Sequence, residues 1–306
     1  MTRDIEISEV GPRDGLQMLK GIMPTERKQA WIAALAVAGL PEIEVCSFVS
    51  PKLLPQMADA AEVVAFARTL PGLAVAALAP NAKGAARAIE AGAHKITLPL
   101  SVSRSHSLAN VRKTPDEMVE EIRESVRRRD ASAAKPAIEA GLSTAFGCTI
   151  EGRVAESEVV RLAVAALAAG ADEIGLADTT GMANPRQIRQ VILAVRREIG
   201  DRLTGVHLHN TFGLGLANAL AAYEAGIRTF DSSQAGLGGC PYAPGATGNV
   251  VTEDLVYMFE SMGVKTGVDL GKLIEGRRIL AEAFPDEPLY GYVPAVGLPK
   301  RYRPAA

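Results

Sequence analysis

Eight short apolar runs, each separated from the next by a stretch with helical spacing, constrain this chain more than any other feature. The runs are Ile5 to Val10, Glu42 to Val49, Leu73 to Ala79, Lys95 to Leu100, Gly141 to Gly147, Glu173 to Asp178, Gly205 to Asn210 and Arg228 to Gln234. Between and after them, Thr25 to Ala38, Asn81 to Ala91, Pro115 to Arg129, Glu156 to Ala169, Pro185 to Ile199, Leu214 to Ala225 and Glu253 to Met262 repeat apolar residues at helical intervals. Four of these helices run into glycine before the next strand, at Gly39, Gly92, Gly170 and Gly226, where a left-handed cap lets the chain turn tightly. Eight strand–helix units within about 250 residues predict an α/β fold, a (β/α)8 TIM barrel whose strands are continuously apolar because both faces are covered. The rival, an open doubly wound sheet, calls for a glycine-rich phosphate turn after the first strand. Here that turn reads Gly11-Pro12-Arg13-Asp14-Gly15, with charges where the backbone cradle belongs.

The barrel is expected to span residues 1–265. Asp269 to Phe284 reads as one further helix, and Pro285 to Ala306 carries five prolines with little periodicity. Residues 266–306 are therefore expected to form a C-terminal helical appendage with a Pro-rich tail packed on the barrel, without a second domain. Thirty-three Lys and Arg balance 35 Asp and Glu, a net charge of -2. That leaves no basic footprint for tracking phosphates, so no nucleic-acid partner is expected and the partners are small molecules. Cys46, Cys148 and Cys240 form neither a Cys-x-x-Cys pair nor a disulfide framework and read as reduced thiols of a cytosolic protein. No apolar run approaches the ~20 residues of a membrane span, and Met1 to Asp4 leads straight into a strand, with no room for a targeting segment. A cytoplasmic location without membrane partners follows as the expectation.

Reactive groups of such barrels gather at the C-terminal ends of the strands. The polar outliers fall there: Arg13 and Asp14 after the first strand, Glu44 to Ser47 in the second, Asp178 after the sixth, His207 and His209 in the seventh, and Cys240 after the eighth. His207-Leu208-His209 puts two imidazoles on one face of a strand, and these are half of the four histidines in the chain. Asp14 offers an oxygen from across the mouth and Asn249 a carbonyl oxygen. Two imidazoles and two oxygens suit an octahedral Mg2+ or Mn2+, with Zn2+ or Co2+ as alternatives, better than a closed structural zinc site. Such a metal chelates substrate oxygens and acidifies a hydroxyl. Arg13 beside it is placed to hold a carbonyl or carboxylate oxygen as negative charge develops.

Gly236 to Asn249 holds five glycines and two prolines, a composition typical of a functional lid, with Cys240 near its middle. Cys46 and Cys148, in apolar strand contexts, read as inert small hydrophobes. Glu44 and Asp178 each need a partner inside a barrel, and either pair with Arg13 or titrate in the reaction. Arg123 to Arg129 reads as a solvated helix face, while the basic groups of residues 104–113 are an option for the phosphates of a nucleotide-like acyl carrier.

Gly11-Pro12-Arg13-Asp14-Gly15-Leu16-Gln17, Ser47-Phe48-Val49-Ser50-Pro51-Lys52, His207-Leu208-His209-Asn210-Thr211-Phe212-Gly213 and the loop from Gly236 to Asn249 together resemble the 3-hydroxy-3-methylglutaryl-CoA lyase family. The resemblance runs from the first strand to the helix after the eighth. It implies an enzyme, a divalent-metal-dependent carbon–carbon lyase that splits 3-hydroxy-3-methylglutaryl-CoA into acetoacetate and acetyl-CoA, as in leucine degradation and ketone body formation. It implies Asp14, His207, His209 and Asn249 as metal ligands, and Arg13, Gln17 and Ser47 as substrate contacts. Arg13 would steady the thioester enolate, Glu44 would brace Arg13, Cys240 would act as acid or base, and Asp178 would lie near the substrate hydroxyl. The base that takes the hydroxyl proton is Asp178 or His207.

Three departures bear on the acyl group. Ser101 to Lys113 replaces a lysine-rich stretch, Gly147-Cys148-Thr149-Ile150-Glu151-Gly152 stands where Cys-Pro-Tyr is commoner, and Gly175 stands where a serine usually sits. A related acyl-CoA such as citramalyl-CoA, or one with a longer branch, stays open. So do a Claisen synthase or aldolase on the same barrel and, from a different class, an acyl-CoA-binding sensor. Barrels of this kind commonly pair, so a homodimer is expected.

Overall fold

A computed structural model describes residues 3–238 and 248–305. Eight parallel strands, β1 (Glu6–Glu9), β2 (Glu42–Ser47), β3 (Ala74–Leu78), β4 (Lys95–Pro99), β5 (Ala137–Leu142), β6 (Glu173–Asp178), β7 (Leu203–Leu208) and β8 (Thr229–Ser232), pair in sequence order. The barrel closes where β1 pairs with β8, Glu6 opposite Thr229 and Ser8 opposite Asp231. Around it lie α1 (Thr25–Val37), α2 (Ala60–Ala67), α3 (Ala82–Ala91), α4 (Arg104–Val111), α5 (Pro115–Asp130), α6 (Glu156–Ala168), α7 (Pro185–Ile199), α8 (Gly215–Glu224) and α9 (Thr252–Ser261). The four glycines after helices take φ of +95°, +87°, +101° and +98° at Gly39, Gly92, Gly170 and Gly226, as the caps require.

The strands correct one expectation. They are not continuously apolar: Ile7, Ile43, Ile96, Leu98, Ile138 and Ile174 are fully buried facing the helices. The opposite parity, including Ser8, Glu42, Lys95, Thr97 and Glu139, lines a cavity inside the barrel. The two-residue period of a strand separates these sets, and only the helix-facing set meets an apolar layer. The same alternation explains why the apolar run Gly141 to Gly147 misplaced the fifth strand. Its true span begins at Ala137 and carries Glu139 inward, while Ala145 and Phe146 are buried beyond its end. Helices α2 and α4 had no sequence counterpart, the first being short and almost uniformly apolar, the second mixed.

Beyond the barrel, α10 (Leu270–Ala283) packs on α1, and α11 (Tyr292–Val296) packs on α9. Leu270, Leu273, Leu280 and Val293 join the same apolar core as the barrel. No helix among the described residues is long and apolar enough to cross a membrane.

Candidate active site

Directly after β1 the chain makes a single π-helical turn over Gly11–Gly15, with Pro12 at its start and the Asp14 N–H donating to the Val10 carbonyl at 2.7 Å. Glu9 holds this turn in place. Its carboxyl, fully buried, accepts from Gly11 N–H at 2.8 Å, Gln234 N–H at 2.9 Å and Thr252 Oγ1 at 2.7 Å. Burial pushes it up to about 8. A Cβ at position 11 would lie 2.6 Å from Glu9 Oε1, so glycine is what lets the turn sit against its anchor. One carboxyl thereby ties together the end of β1, the loop after β8 and the start of α9.

From that turn Arg13 projects into the barrel mouth, where its Nε donates to Glu44 Oε2 at 2.5 Å and its Nη1 to Asp14 Oδ1 at 2.5 Å. Burial works against the guanidinium, but Glu44 and Asp14 outweigh it and keep Arg13 charged. Gln17 Nε2 donates to Asp14 Oδ1 at 2.8 Å, and Asn249 Nδ2 donates to Asp14 Oδ2 at 2.7 Å. His209 and Asn249 face each other in an isolated antiparallel bridge. His207 Nε2 lies 3.1 Å from His209 Nε2 and 4.0 Å from Asp14 Oδ2.

One ligand atom each from Asp14, His207 and His209 thus falls within 4.8 Å of the others, a group that could hold a metal ion. Two observations fit that use. Asn249, which touches the group through its Nδ2, keeps its buried Oδ1 without a hydrogen-bond partner among the described residues, an orphaned acceptor. Burial, and then the neighbouring His207, drive His209 down to about 3, so its ring stays neutral with a lone pair to give. Burial works to raise the Asp14 carboxyl, yet Arg13, His207 and His209 hold it below the ordinary aspartate range. A carboxylate, two imidazoles and an amide oxygen suit a divalent cation and leave positions for substrate.

The cavity that opens here, about 730 Å³, runs from Arg13, Asp14 and His207 down to Lys95. At its floor Lys95 Nζ meets Glu42 Oε1 at 2.7 Å, Glu139 Oε2 at 3.1 Å and Glu173 Oε1 at 3.7 Å. Burial pushes Glu139 up to about 7. This network accounts for one departure from the family pattern. A Cβ at Gly175 would lie 2.4 Å from Glu139 Oε1, so a serine there cannot coexist with Glu139 as it stands.

Of the residues singled out from sequence, Arg13, Asp14, Gln17, Glu44, His207, His209 and Asn249 come together. Asn249 joins them through Asp14 from beside the cavity, whereas Asp178 and Ser47 neither join the group nor line the cavity. Asp178 lies on the helix-facing parity of β6, between the lining residues Ala177 and Thr179. It accepts from the Ala183 N–H at 3.3 and 3.2 Å, and burial raises it to about 6. Ser47 is fully buried, its Oγ accepting from Val49 N–H at 3.4 Å, and Val49 and Ser50 line the cavity in its stead. Cys240 lies outside the described residues. Cys46 and Cys148 are buried free thiols, with Cys46 pushed up by burial, as inert hydrophobes should be. From residues 104–113, His106, Asn110 and Arg112 reach the rim of the cavity.

Sequence reasoning missed Glu9, Lys95, Glu139, Glu173 and Asp231. The available signal was a charged residue inside an apolar strand, which parity assigns to the barrel interior or to a buried anchor.

A family model described as HMGL-like matches residues 4–280. The mitochondrial hydroxymethylglutaryl-CoA lyase of Bos taurus is 41% identical over 281 residues, covering 92% of this chain and 86% of that protein. A hydroxymethylglutaryl-CoA lyase of Bacillus subtilis is 40% identical, covering 92% and 93%. Among solved structures, an HMG-CoA lyase from Acinetobacter baumannii in complex with coenzyme A and 3-methylmalate superposes with a TM-score of 0.92 at 41% identity, over 99% of both chains. The carboxyl transferase domain of Rhizobium etli pyruvate carboxylase, at 20% identity and a TM-score of 0.70, shares the fold. Carrying the arginine–aspartate turn, the paired histidines and Asn249 at one barrel mouth, and matched from β1 into α10, this chain belongs to the HMGL-like family.

Proposed function

We propose that this chain is a carbon–carbon lyase that cleaves 3-hydroxy-3-methylglutaryl-CoA into acetoacetate and acetyl-CoA. The observation that carries the reading is the convergence of Asp14, His207, His209 and Asn249 beside the buried Arg13–Glu44 pair, in a chain 41% identical to a named lyase. The four residues would hold a divalent cation, Mg2+ or Mn2+, which when bound polarises substrate oxygens and lowers the pKa of a hydroxyl. The chain's own groups supply the rest. Glu44 and Asp14 fix the Arg13 guanidinium, so it meets developing negative charge without reorganising. A base takes the substrate hydroxyl proton, the C2–C3 bond breaks and its electron pair passes into the acetyl-CoA enolate. Arg13 steadies that enolate and protonation at C2 completes acetyl-CoA, with the Cys240 thiol as donor. Asp178, turned toward its own loop, acts by holding residues 179–183 in place, from which Thr179 lines the cavity.

The alternative substrate is citramalyl-CoA, whose carboxylate stands directly on C3, one methylene nearer than in 3-hydroxy-3-methylglutaryl-CoA, so the same metal ligands and Arg13 would serve it. A cytoplasmic location agrees with the free buried thiols of Cys46 and Cys148. A homodimer is the expected assembly, read by sedimentation.

The deciding experiment strips the metal, restores Mg2+ or Mn2+, and follows acetyl-CoA release from 3-hydroxy-3-methylglutaryl-CoA and citramalyl-CoA side by side. The expected result is metal-dependent release from the first compound that His207→Ala abolishes. Release from the second alone moves the substrate and keeps the chemistry. Tight binding without product from either overturns the lyase and leaves a sensor, while net condensation of acetyl-CoA with a keto acid points to a synthase.

A further inference from the structure

The two nitrogens of His207 keep different company. Nε2 faces His209 and Asp14, whereas Nδ1 faces Asp231 Oδ2 at 3.1 Å. The contact is built into the barrel: β7 and β8 pair with His207 directly opposite Asp231, and on the other side Asp231 stands opposite Ser8 of β1. Both side chains are held inside the barrel, 16% and 29% exposed. An ionised carboxylate only accepts, so the proton of a neutral His207 ring belongs on Nδ1, and the Nε2 lone pair then points at Asp14 and His209. Among the described residues His209 has no such guide, its buried Nδ1 having no hydrogen-bond partner there.

We propose that Asp231 is a positioning residue that fixes the tautomer and ring orientation of His207, and that the affinity of the centre for its ion depends on it. The inference rests on the metal centre proposed above. It is asymmetric: one imidazole is steered by a carboxylate on the neighbouring strand, while among the described residues the other is placed by its own backbone and the bridge to Asn249.

Two measurements test it, neither of which depends on turnover. Nitrogen-detected NMR of the metal-free wild-type protein, at a pH where the ring is neutral, should show His207 as the Nδ1–H tautomer. Finding the Nε2–H tautomer overturns the proposal without any variant having to fold. Calorimetric titration with Mn2+ should show Asp231→Ala binding about 10–100-fold more weakly than wild type, the usual cost of losing an outer partner of a ligating histidine. Asp231→Asn, whose amide oxygen still accepts, should fall between the two. Mn2+ affinity of Asp231→Ala equal to wild type, while His207→Ala loses the ion, overturns the role of Asp231 alone. Mn2+ affinity of His207→Ala equal to wild type overturns the metal centre itself.

Discussion

At the floor of this barrel Lys95 is enclosed by Glu42, Glu139 and Glu173, and at the mouth Arg13 is enclosed by Glu44 and Asp14. Both are buried ion clusters at the heart of the same cavity, yet they leave different things over. The floor cluster closes on itself: its single cation is shared among the carboxylates, and burial raises Glu139 until protonation relieves part of the excess charge. The mouth cluster does not close. Past Arg13, Asp14 Oδ2 and the Nε2 atoms of His207 and His209 converge, and Asn249 beside them keeps its Oδ1 without a hydrogen-bond partner among the described residues. A charged cluster gathered around its own cation serves the fold, and one whose lone pairs converge beyond its cation is shaped for a ligand.

Lys95→Met puts that contrast under the greatest strain. Removing the shared cation leaves buried carboxylates uncompensated, and denaturant unfolding should show a loss of about 3–5 kcal/mol. Metal affinity of the folded fraction should stay unchanged; if it falls with stability, floor and mouth are one unit and the contrast fails.

Next comes Arg13→Lys, which keeps the charge and loses the planar fork held by Glu44 and Asp14. Initial rates should drop by about 10²–10³-fold with thermal unfolding little altered, the signature of a lost oxyanion contact. A comparable loss of stability with a preserved rate would make Arg13 structural, like Lys95.

The smallest effect tests Asp178, a buried carboxylate that belongs to neither cluster. Its folded pKa is raised to about 6 from an ordinary 3.8. The folded state therefore holds the proton more tightly than the unfolded chain. This contribution to stability is fully present below pH ~3.8 and is lost as pH rises through about 6, an upper bound of ~3 kcal/mol at 1.36 kcal/mol per pKa unit. Melting curves of wild type and Asp178→Asn should converge or cross over that interval. A pH-independent gap would show that Asp178 is ionised throughout and pull it back toward the chemistry at the mouth.

Much of this could be read from the chain. Strand β6 and helix α7 lie where the apolar runs put them, at Glu173–Asp178 and Pro185–Ile199. The Gly11–Gly15 turn and the His-x-His pair mark the mouth because local patterns place them at strand ends. Asp231 shows the limit. Its place in β8 between Phe230 and Ser232 marks a charged group of the strand, but only strand pairing sets it opposite His207 and so decides its partner. Asp178 shows the converse, a carboxylate at the correct strand end whose parity turns it toward the Ala183 amide.

Period and punctuation along the chain, then, determine the barrel, its eight units and which loops bear the reactive residue types, because those depend on contacts a few residues apart. Barrel closure and strand register decide which carboxylate each cation and each imidazole meets. Lys95 of β4 meets carboxylates of β2, β5 and β6, Arg13 one of β2 and its neighbour Asp14, and His207 of β7 one of β8, while the link from Asp14 to Asn249 spans 235 residues. Separations that long are encoded in no local pattern, and a shift of one residue in register would turn each of these groups to the other face of its strand.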